Sequence, residues 1–470
     1  MIDGHRETIR TSSKAFTERI SQDFYDKYGK GVPNRDIKDA LNTIKGKAVN
    51  DGPLRKVHVR LAEAEDVIYI DLGDKAFNII TVTSDGWSVG PNSQIYFLRP
   101  PGMGELPYPV EGCSVGSLRK YTNLENPADF YLLVGFLIGC FHPSGPYPVL
   151  EVIGEQGSAK STLIRVVKRL VDPSAVELRS LPRSLRDLSI QAANSWVLSY
   201  DNVSYIPDEI SDALCRLSTG GGFATRTLYS DREETLFDAK RPLMLDGINA
   251  SVSREDLTDR VIRLSLATIP EEDRRTEKEF WEEFDAERPA IIGAILDTVS
   301  CALKGYRNVK LPYVPRMADF AIWVTAAEPA LGWESGTFLQ EYSRNRSEAS
   351  SQIVEADLVL STVVNFMKDY DEWKGTPTQL LELLGDRIGE DAKRSRWWPK
   401  SPQHLSRALN RGATALRQEG VDAKLEKGEK RLWTLRSLRE EAASRQGYHK
   451  VRINVINLAD RFVSREEFAD

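Results

Sequence analysis

Residues 148–167 constrain what this chain can fold into more than any other stretch. Pro148-Val149-Leu150-Glu151-Val152-Ile153 has the character of a buried strand. Gly154-Glu155-Gln156-Gly157-Ser158-Ala159-Lys160-Ser161-Thr162 is a loop of mostly small residues, and Leu163-Ile164-Arg165-Val166-Val167 continues as an amphipathic helix. Strand, loop, helix is the mechanical setting of a phosphate-binding loop. The pattern G-x-x-x-x-G-K-[ST] is met at Gly154, Lys160 and Ser161, with Ala159 where the second glycine usually stands. Backbone N–H groups between Gly154 and Thr162, those of Gln156, Gly157 and Ser158 among them, are then expected to converge on phosphate oxygens. The helix dipole already favours an anion there. Lys160 is placed to reach the β- and γ-phosphates of ATP, and Ser161 to hold Mg²⁺. A Cβ at Ala159 suits such a loop only if φ stays negative. The competing reading is an ordinary strand-to-helix turn rich in glycine and serine.

About forty residues downstream, Trp196-Val197-Leu198-Ser199-Tyr200-Asp201-Asn202 reads as a second buried strand delivering an acid at its C-terminal edge. Ligands bind at that edge in open α/β sheets. Asp201 is therefore the expected second magnesium anchor. Asn202 follows it, and an amide cannot take a proton from water at neutral pH. Asn202 can orient a water; the residue that activates it stays open.

At 470 residues the chain is long enough for two to four domains. A formal charge of −6 excludes a uniformly basic nucleic-acid coat, so any DNA contact must come from local patches. Cys113, Cys140, Cys215 and Cys301 are scattered, without the spacing of a zinc site, which points to reduced thiols. The longest apolar run, Phe130 to Phe141, is twelve residues, short of the roughly 20 a bilayer requires. It reads as a buried helix. With no apolar signal segment near Met1, a cytoplasmic protein without membrane contact is expected.

Taken in order, residues 1–55 show apolar positions at helical spacing: Phe16, Ile20, Phe24 and Tyr25, then Ile37, Ala40, Leu41 and Ile44. A small bundle and an oligomerisation collar fit this equally. Residues 56–126 change to a period of two, with strands at Val57–Leu61, Val67–Leu72, Ile79–Val82 and Gln94–Leu98 and a hairpin turn at Asp85-Gly86. Asp71 and Asp74 read as strand-end and turn residues rather than a polymerase-type metal pair. Residues 127–268 carry the apolar helix and the nucleotide core, and 269–370 turn helical. Residues 371–436 read helix, helix, hairpin, the second helix running from Ser401-Pro402 through Leu405, Leu409 and Leu416 to Gly420. That is a winged-helix plan. Between 393 and 436 twelve Lys/Arg face only four Asp/Glu, so Arg407, Arg411, Arg417 and the wing residue Lys427 fit phosphate contacts along duplex DNA. Residues 437–470 form a tail with no readable assignment.

Between these landmarks, Ser218–Ala224 leads into Thr225-Arg226-Thr227-Leu228-Tyr229-Ser230, a polar tip at Asp231-Arg232-Glu233-Glu234, and Thr235–Asp238, a hairpin. Arg241-Pro242-Leu243-Met244-Leu245-Asp246 is a further buried strand, and Asp259-Arg260 precedes the strand Ile262–Leu266. The order of GEQGSAKST, SWVLSYDN, TGGGFATRTLY, RPLMLDGI and Asp259-Arg260 resembles the AAA+ core of superfamily-three helicases. It is similar above all to the ATPases of phage, plasmid and integrated-element primase–helicases, over roughly residues 56–440. The resemblance implies an α/β P-loop core with a helical lid, preceded by a small α+β region and followed by the winged helix. It implies a hexameric ring whose pore hairpin grips one DNA strand through Arg226 and Arg232. It implies a trans-acting arginine finger at Arg260 and a γ-phosphate sensor at Asp246, where the family has asparagine; Asn249 lies three residues on. An acid there repels phosphate unless it is protonated or bound to metal. The expected activity is ATP-dependent DNA unwinding or translocation, with any primase or polymerase on a separate protein. The alternative is an ATP-gated switch or defence ATPase that remodels a partner without separating strands.

Overall fold

The computed structural model describes residues 7–91, 95–226, 234–237, 239–248, 252, 255–395, 397–427 and 431–438. They fall into two units, one drawn from 1–252 and 259–343, the other from 253–258 and 344–470. In the first, α1 (Lys14–Tyr28) starts on the Ser13 side chain, which accepts the Phe16 N–H, and stops at Gly29 in the left-handed region. It packs on α2 (Asn34–Asn50), yet α1 buries no residue completely and α2 only Ile37.

The period-two stretch becomes β1 (Val57–His58), β2 (Leu61–Ala64), β3 (Val67–Asp71), β4 (Asn78–Thr83), β5 (Gly86–Pro91) and β6 (Tyr96–Phe97). Strands β2-β3-β4-β5 form an antiparallel meander, while β1 pairs β6 in parallel. Alternation puts Ile68, Ile70, Ile80 and Val82 on the buried face. Asp71 is held by Arg99 through two oxygens, at 2.9 and 2.6 Å, and the Asp74 carboxylate accepts from Asn78 and Tyr108. Both acids are structural anchors of the turn.

Helix α3 (Asp129–Gly139) is buried almost throughout. The core continues with β7 (Val149–Gly154), α4 (Lys160–Val171), α5 (Leu185–Asn194), β8 (Leu198–Tyr200), α6 (Asp208–Thr219), the antiparallel hairpin β9 (Phe223–Arg226) and β10 (Glu234–Phe237), β11 (Leu243–Gly247) and β12 (Val261–Leu266), while the intervening α7 (Glu255–Thr258) belongs to the second unit. The order β12-β7-β11-β8 is parallel throughout, and Arg179 extends it by one bridge to Tyr200. Parallel strands covered on both faces explain the near-continuous apolar runs. Inside this sheet Glu151 on β7 meets Arg263 on β12 at 2.8 Å.

The helical stretch 269–370 does not stand apart as one lid. Helix α8 (Glu277–Gly305) begins in a capping box between Thr276 and Glu279 and lies on β4 and β5 as well as on α4. A Cβ on its Gly293 would stand 2.0 Å from the Val110 carbonyl oxygen, so only glycine allows this approach. With α9 (Ala318–Leu331) and the first part of α10 (Thr337–Ala356) it shares one apolar core with the meander and α3.

In the second unit, α11 (Leu358–Phe366), β13 (Glu372–Gly375), α12 (Pro377–Gly385), α13 (Glu390–Arg394), α14 (Pro402–Arg411), α15 (Ala413–Gln418), β14 (Val421–Lys427) and β15 (Arg431–Ser437) enclose a second core. The sheet order is β13-β15-β14, antiparallel. Helix α11, grouped with the lid by its sequence position, therefore packs with the C-terminal elements through Val359, Leu360, Val363 and Phe366. The single helix expected from Ser401 to Gly420 is broken at Gly412. A side chain there would meet Leu360 at 2.3 Å, so only glycine admits α11 this close.

Candidate nucleotide-binding site

The loop after β7 reaches α4 through Gly157 at φ +85° and Ala159 at φ +62°. The expected negative φ at Ala159 is thus corrected. The loop turns back into the helix within a few residues, and Ala159 takes the left-handed conformation there despite its Cβ. No side chain caps α4, so its first-turn N–H groups remain directed into the loop. Lys160 Nζ donates to the Gly154 and Glu155 carbonyls at 2.8 and 2.7 Å. The Ser158 hydroxyl donates to Glu155 O at 2.9 Å. Ser161 Oγ donates to Asp201 Oδ1 at 3.1 Å, joining the helix start to the tip of β8.

Strand β11 lies between β7 and β8, which brings Asp246 beside Asp201. Asn202 takes φ +53° and its N–H donates to Asp246 Oδ1 at 2.6 Å, while the Val203 N–H donates to Asp246 O at 2.7 Å. Burial pushes the Asp246 carboxyl up to about 6 against the lowering effect of that Asn202 N–H, and neighbouring Asp201 adds to the rise. Ser161, Asp201, Asn202 and Asp246 thus meet at one sheet edge, with the Asn202 side chain exposed. A hydroxyl and two carboxylates form a hard oxygen donor set suited to a divalent cation.

The other side of the loop holds a residue that motif reading missed. The segment after β12 straps the loop: the Ile269 N–H points to Gly157 O at 3.5 Å and Thr268 Oγ1 donates to Glu155 Oε2 at 3.3 Å. Arg274 Nε donates to Ile269 O at 3.3 Å, and its Nη2 lies 3.4 Å from where a Cβ on Gly157 would stand. Its ion pair with Glu271 is loose, at 3.9 Å between exposed side chains. The signal in the sequence was the Arg274-Arg275 pair just past a strand of the nucleotide sheet.

Arg260 is not brought to this site within its own chain. Its carbonyl accepts the Val149 N–H at the starting edge of the sheet, and its Nη1 lies 3.8 Å from Cys215 Sγ. The phosphate loop leaves the opposite edge, about 20 Å away at 3.3 Å per strand residue. Arg226 closes β9, where only its backbone is described. Arg232 and Asn249 lie outside the described residues, as does the side chain of Lys427. Arg407 and Arg411 project from α14 beside His404 and Asn410, opposite its buried Leu405 and Leu409. Arg417 is engaged with Asp422 at 3.1 Å.

No helix among the described residues is long and apolar enough to cross a membrane. No curated protein matches the chain. Among solved structures, the apo C-terminal region of NrS-1 is 12% identical, with 90% of each chain covered and a TM-score of 0.37. An MCM homolog from Methanopyrus kandleri is 12% identical over 69% of this chain and 90% of that one, with a TM-score of 0.27. The JCV helicase is 12% identical over 48% of this chain and 62% of its own, with a TM-score of 0.24. Likenesses this low do not bear on activity. Residues 115–342 match the family described as actinomycete integrative conjugative element replication protein, and residues 359–447 match its AICE RepA C-terminal domain. In both regions, following one another along the chain, the protein is therefore similar to the replication protein of actinomycete integrative conjugative elements.

Proposed function

We propose that this chain is an ATP-hydrolysing DNA helicase or translocase serving the replication of a mobile element, working as a homo-oligomeric ring with ATP between subunits. The observation that carries the reading is the Ser161–Asp201 hydrogen bond at the mouth of an uncapped helix whose first residue is Lys160. The family match supports the replication setting. Amides of the loop from Gly154 to Thr162 would cradle the β-phosphate, and Lys160 would leave its carbonyl partners to neutralise the far phosphate oxygens. Ser161 and Asp201 would hold Mg²⁺, which when bound offsets charge on the β- and γ-phosphoryl oxygens. Asn202 would orient the attacking water, and Arg274 would meet phosphate from the strap side.

Arg260 lies far from its own phosphate loop, which supports the reading that it would act on a neighbour's nucleotide. The β9–β10 hairpin, with Arg226 and Arg232, would grip a single strand in a hexamer's pore. The three-stranded sheet β13-β15-β14 with the helices before β14 supports a winged-helix reading of the C-terminal unit, in which Arg407, Arg411 and Lys427 would hold duplex DNA. A primase or polymerase would be a separate partner.

The test is saturable ATP uptake in magnesium buffer, present in the native protein and lost in Lys160→Ala. Mixing Lys160→Ala with Arg260→Ala should restore part of the ATPase if sites are shared between subunits; no restoration would exclude the shared site. A second reading, an ATP-gated switch that separates no strands, is favoured by Asn202 standing where a proton-accepting carboxylate is needed. Turnover indifferent to DNA, with no unwinding of a fork, would select it.

A further inference from the structure

Among the described residues, the buried acids Glu151, Asp172, Asp71 and Glu328 each have a partner on both carboxylate oxygens: Glu151 from the Val252 N–H and Arg263, Asp172 from Arg60 and Lys168, Asp71 from Arg99, and Glu328 from the N–H groups of Phe338 and Gly336. Asp246 does not follow that rule. It is 2% exposed, and while Oδ1 accepts the Asn202 N–H, Oδ2 has no hydrogen-bond partner among the described residues. The same carboxyl group lies within interaction distance of the Asp201 carboxylate and the Ser161 hydroxyl. Strand order makes this unavoidable: β11 sits between β7 and β8, with Leu245 in register with Tyr200, so the next residues, Asp246 and Asp201, emerge side by side.

Two adjacent carboxylates repel, and a buried one without a counter-charge is costly. Oxygen donors on three converging elements suit a hard divalent cation. Magnesium is commonly held by one or two carboxylates, with substrate phosphates completing the shell. A phosphate-loop site offering one hydroxyl and one carboxylate relies on the nucleotide to bring the metal. A second carboxylate changes that balance.

We propose that Asp246 joins Asp201 and Ser161 as a direct ligand of a divalent-cation site that fills before nucleotide arrives. The proposal rests on reading Ser161 and Asp201 as the magnesium residues of the nucleotide site. It gives Asp246 a role other than sensing phosphate, and it accounts for an acid beside the place of a triphosphate, since the cation separates the two negative groups. Its Oδ1 stays with Asn202, so cation binding also stiffens the turn that carries Asn202.

The experiment is Mn²⁺ titration of the full chain without nucleotide, followed by electron paramagnetic resonance of free Mn²⁺. The native protein should take up one Mn²⁺ saturably, displaced by excess Mg²⁺. Asp246→Asn keeps the acceptor for Asn202 and should weaken uptake by about tenfold or more. Asp201→Asn should do the same, and the double variant should abolish it. Circular dichroism and calorimetry verify that each variant is folded; should Asp246→Asn not fold, Asp246→Ser serves as the second variant. Uptake unchanged in the Asp246 variants, or appearing only after ATP is added, overturns the proposal. Lys160→Ala separates this outcome from failure of the nucleotide reading: it should lose ATP and keep Mn²⁺.

Discussion

Arg60 Nε donates to Asp172 Oδ1 at 3.1 Å, joining the antiparallel meander to the end of α4 through two nearly inaccessible side chains. Asp172 Oδ2 also accepts from Lys168 at 2.8 Å and from the N–H groups of Trp196 and Val197 at 2.9 and 3.1 Å. Burial pushes this carboxyl upward, but the Lys168 and Arg60 charges and these hydrogen bonds outweigh it and hold it well below the usual carboxylate range. Replacing Asp172 by Ala strands two buried cations, and the expected loss is about 3–5 kcal/mol in denaturant unfolding. A depressed folded-state value means that the contribution is complete above about pH 4 and declines as pH falls below it. The native protein should therefore lose stability on acidification through that window, and Asp172→Ala should lose less.

Ala159 carries a left-handed backbone in the phosphate loop. A left-handed L-residue costs roughly 1–2 kcal/mol, and glycine's extra chain entropy returns about 0.5–1 of that. Ala159→Gly should be neutral or stabilising by up to about 1 kcal/mol in calorimetry, with ATP uptake retained. Ala159→Val, branched at Cβ, should destabilise and impair uptake.

Arg274 lies against Gly157 on the side of the loop away from Asp201. Arg274→Ala should weaken ATP and ADP by about tenfold, the effect of one charge-assisted hydrogen bond, and leave adenosine unchanged. Arg274→Lys should recover part of the loss. Equilibrium titration with a fluorescent nucleotide reads all three, and equal affinities in native and Ala proteins would remove Arg274 from the site.

Arg407 and Arg411 share the exposed face of α14 with His404 and Asn410. Each Arg→Ala change should weaken duplex binding, measured by fluorescence anisotropy across a salt series. Where the arginine meets phosphate, the slope of log affinity against log salt should fall by about 1. Arg417→Ala should change it less, because Arg417 already pairs with Asp422.

The strand–loop–helix at residues 149–171 was legible because its pattern is local: nine consecutive residues, mostly small, lie between an apolar strand and an amphipathic helix. The meander was legible through its alternation, and Asp201 through its place at the end of an apolar run. Other features were not. The fourth meander strand, Gly86–Pro91, has a weak alternation and takes its identity from pairing with Asn78–Thr83. Helix α11 looks like any apolar helix, and only its packing through Val359, Leu360, Val363 and Phe366 assigns it to the C-terminal core.

By itself the sequence determined that a strand, a loop of small residues and a helix follow one another at residues 149–171, and that a lysine, hydroxyls and an acid stand near that loop. That follows from backbone geometry and side-chain type, which act over a few residues. Only the tertiary structure decided which of those residues meet. Asp246 stands beside Asp201 because β11 inserts between β7 and β8, and Arg274 reaches Gly157 because the segment after β12 folds back over the loop. Arg60 finds Asp172 across 112 positions of chain. Strand order and long-range packing are properties of the whole buried core, so no local pattern encodes them.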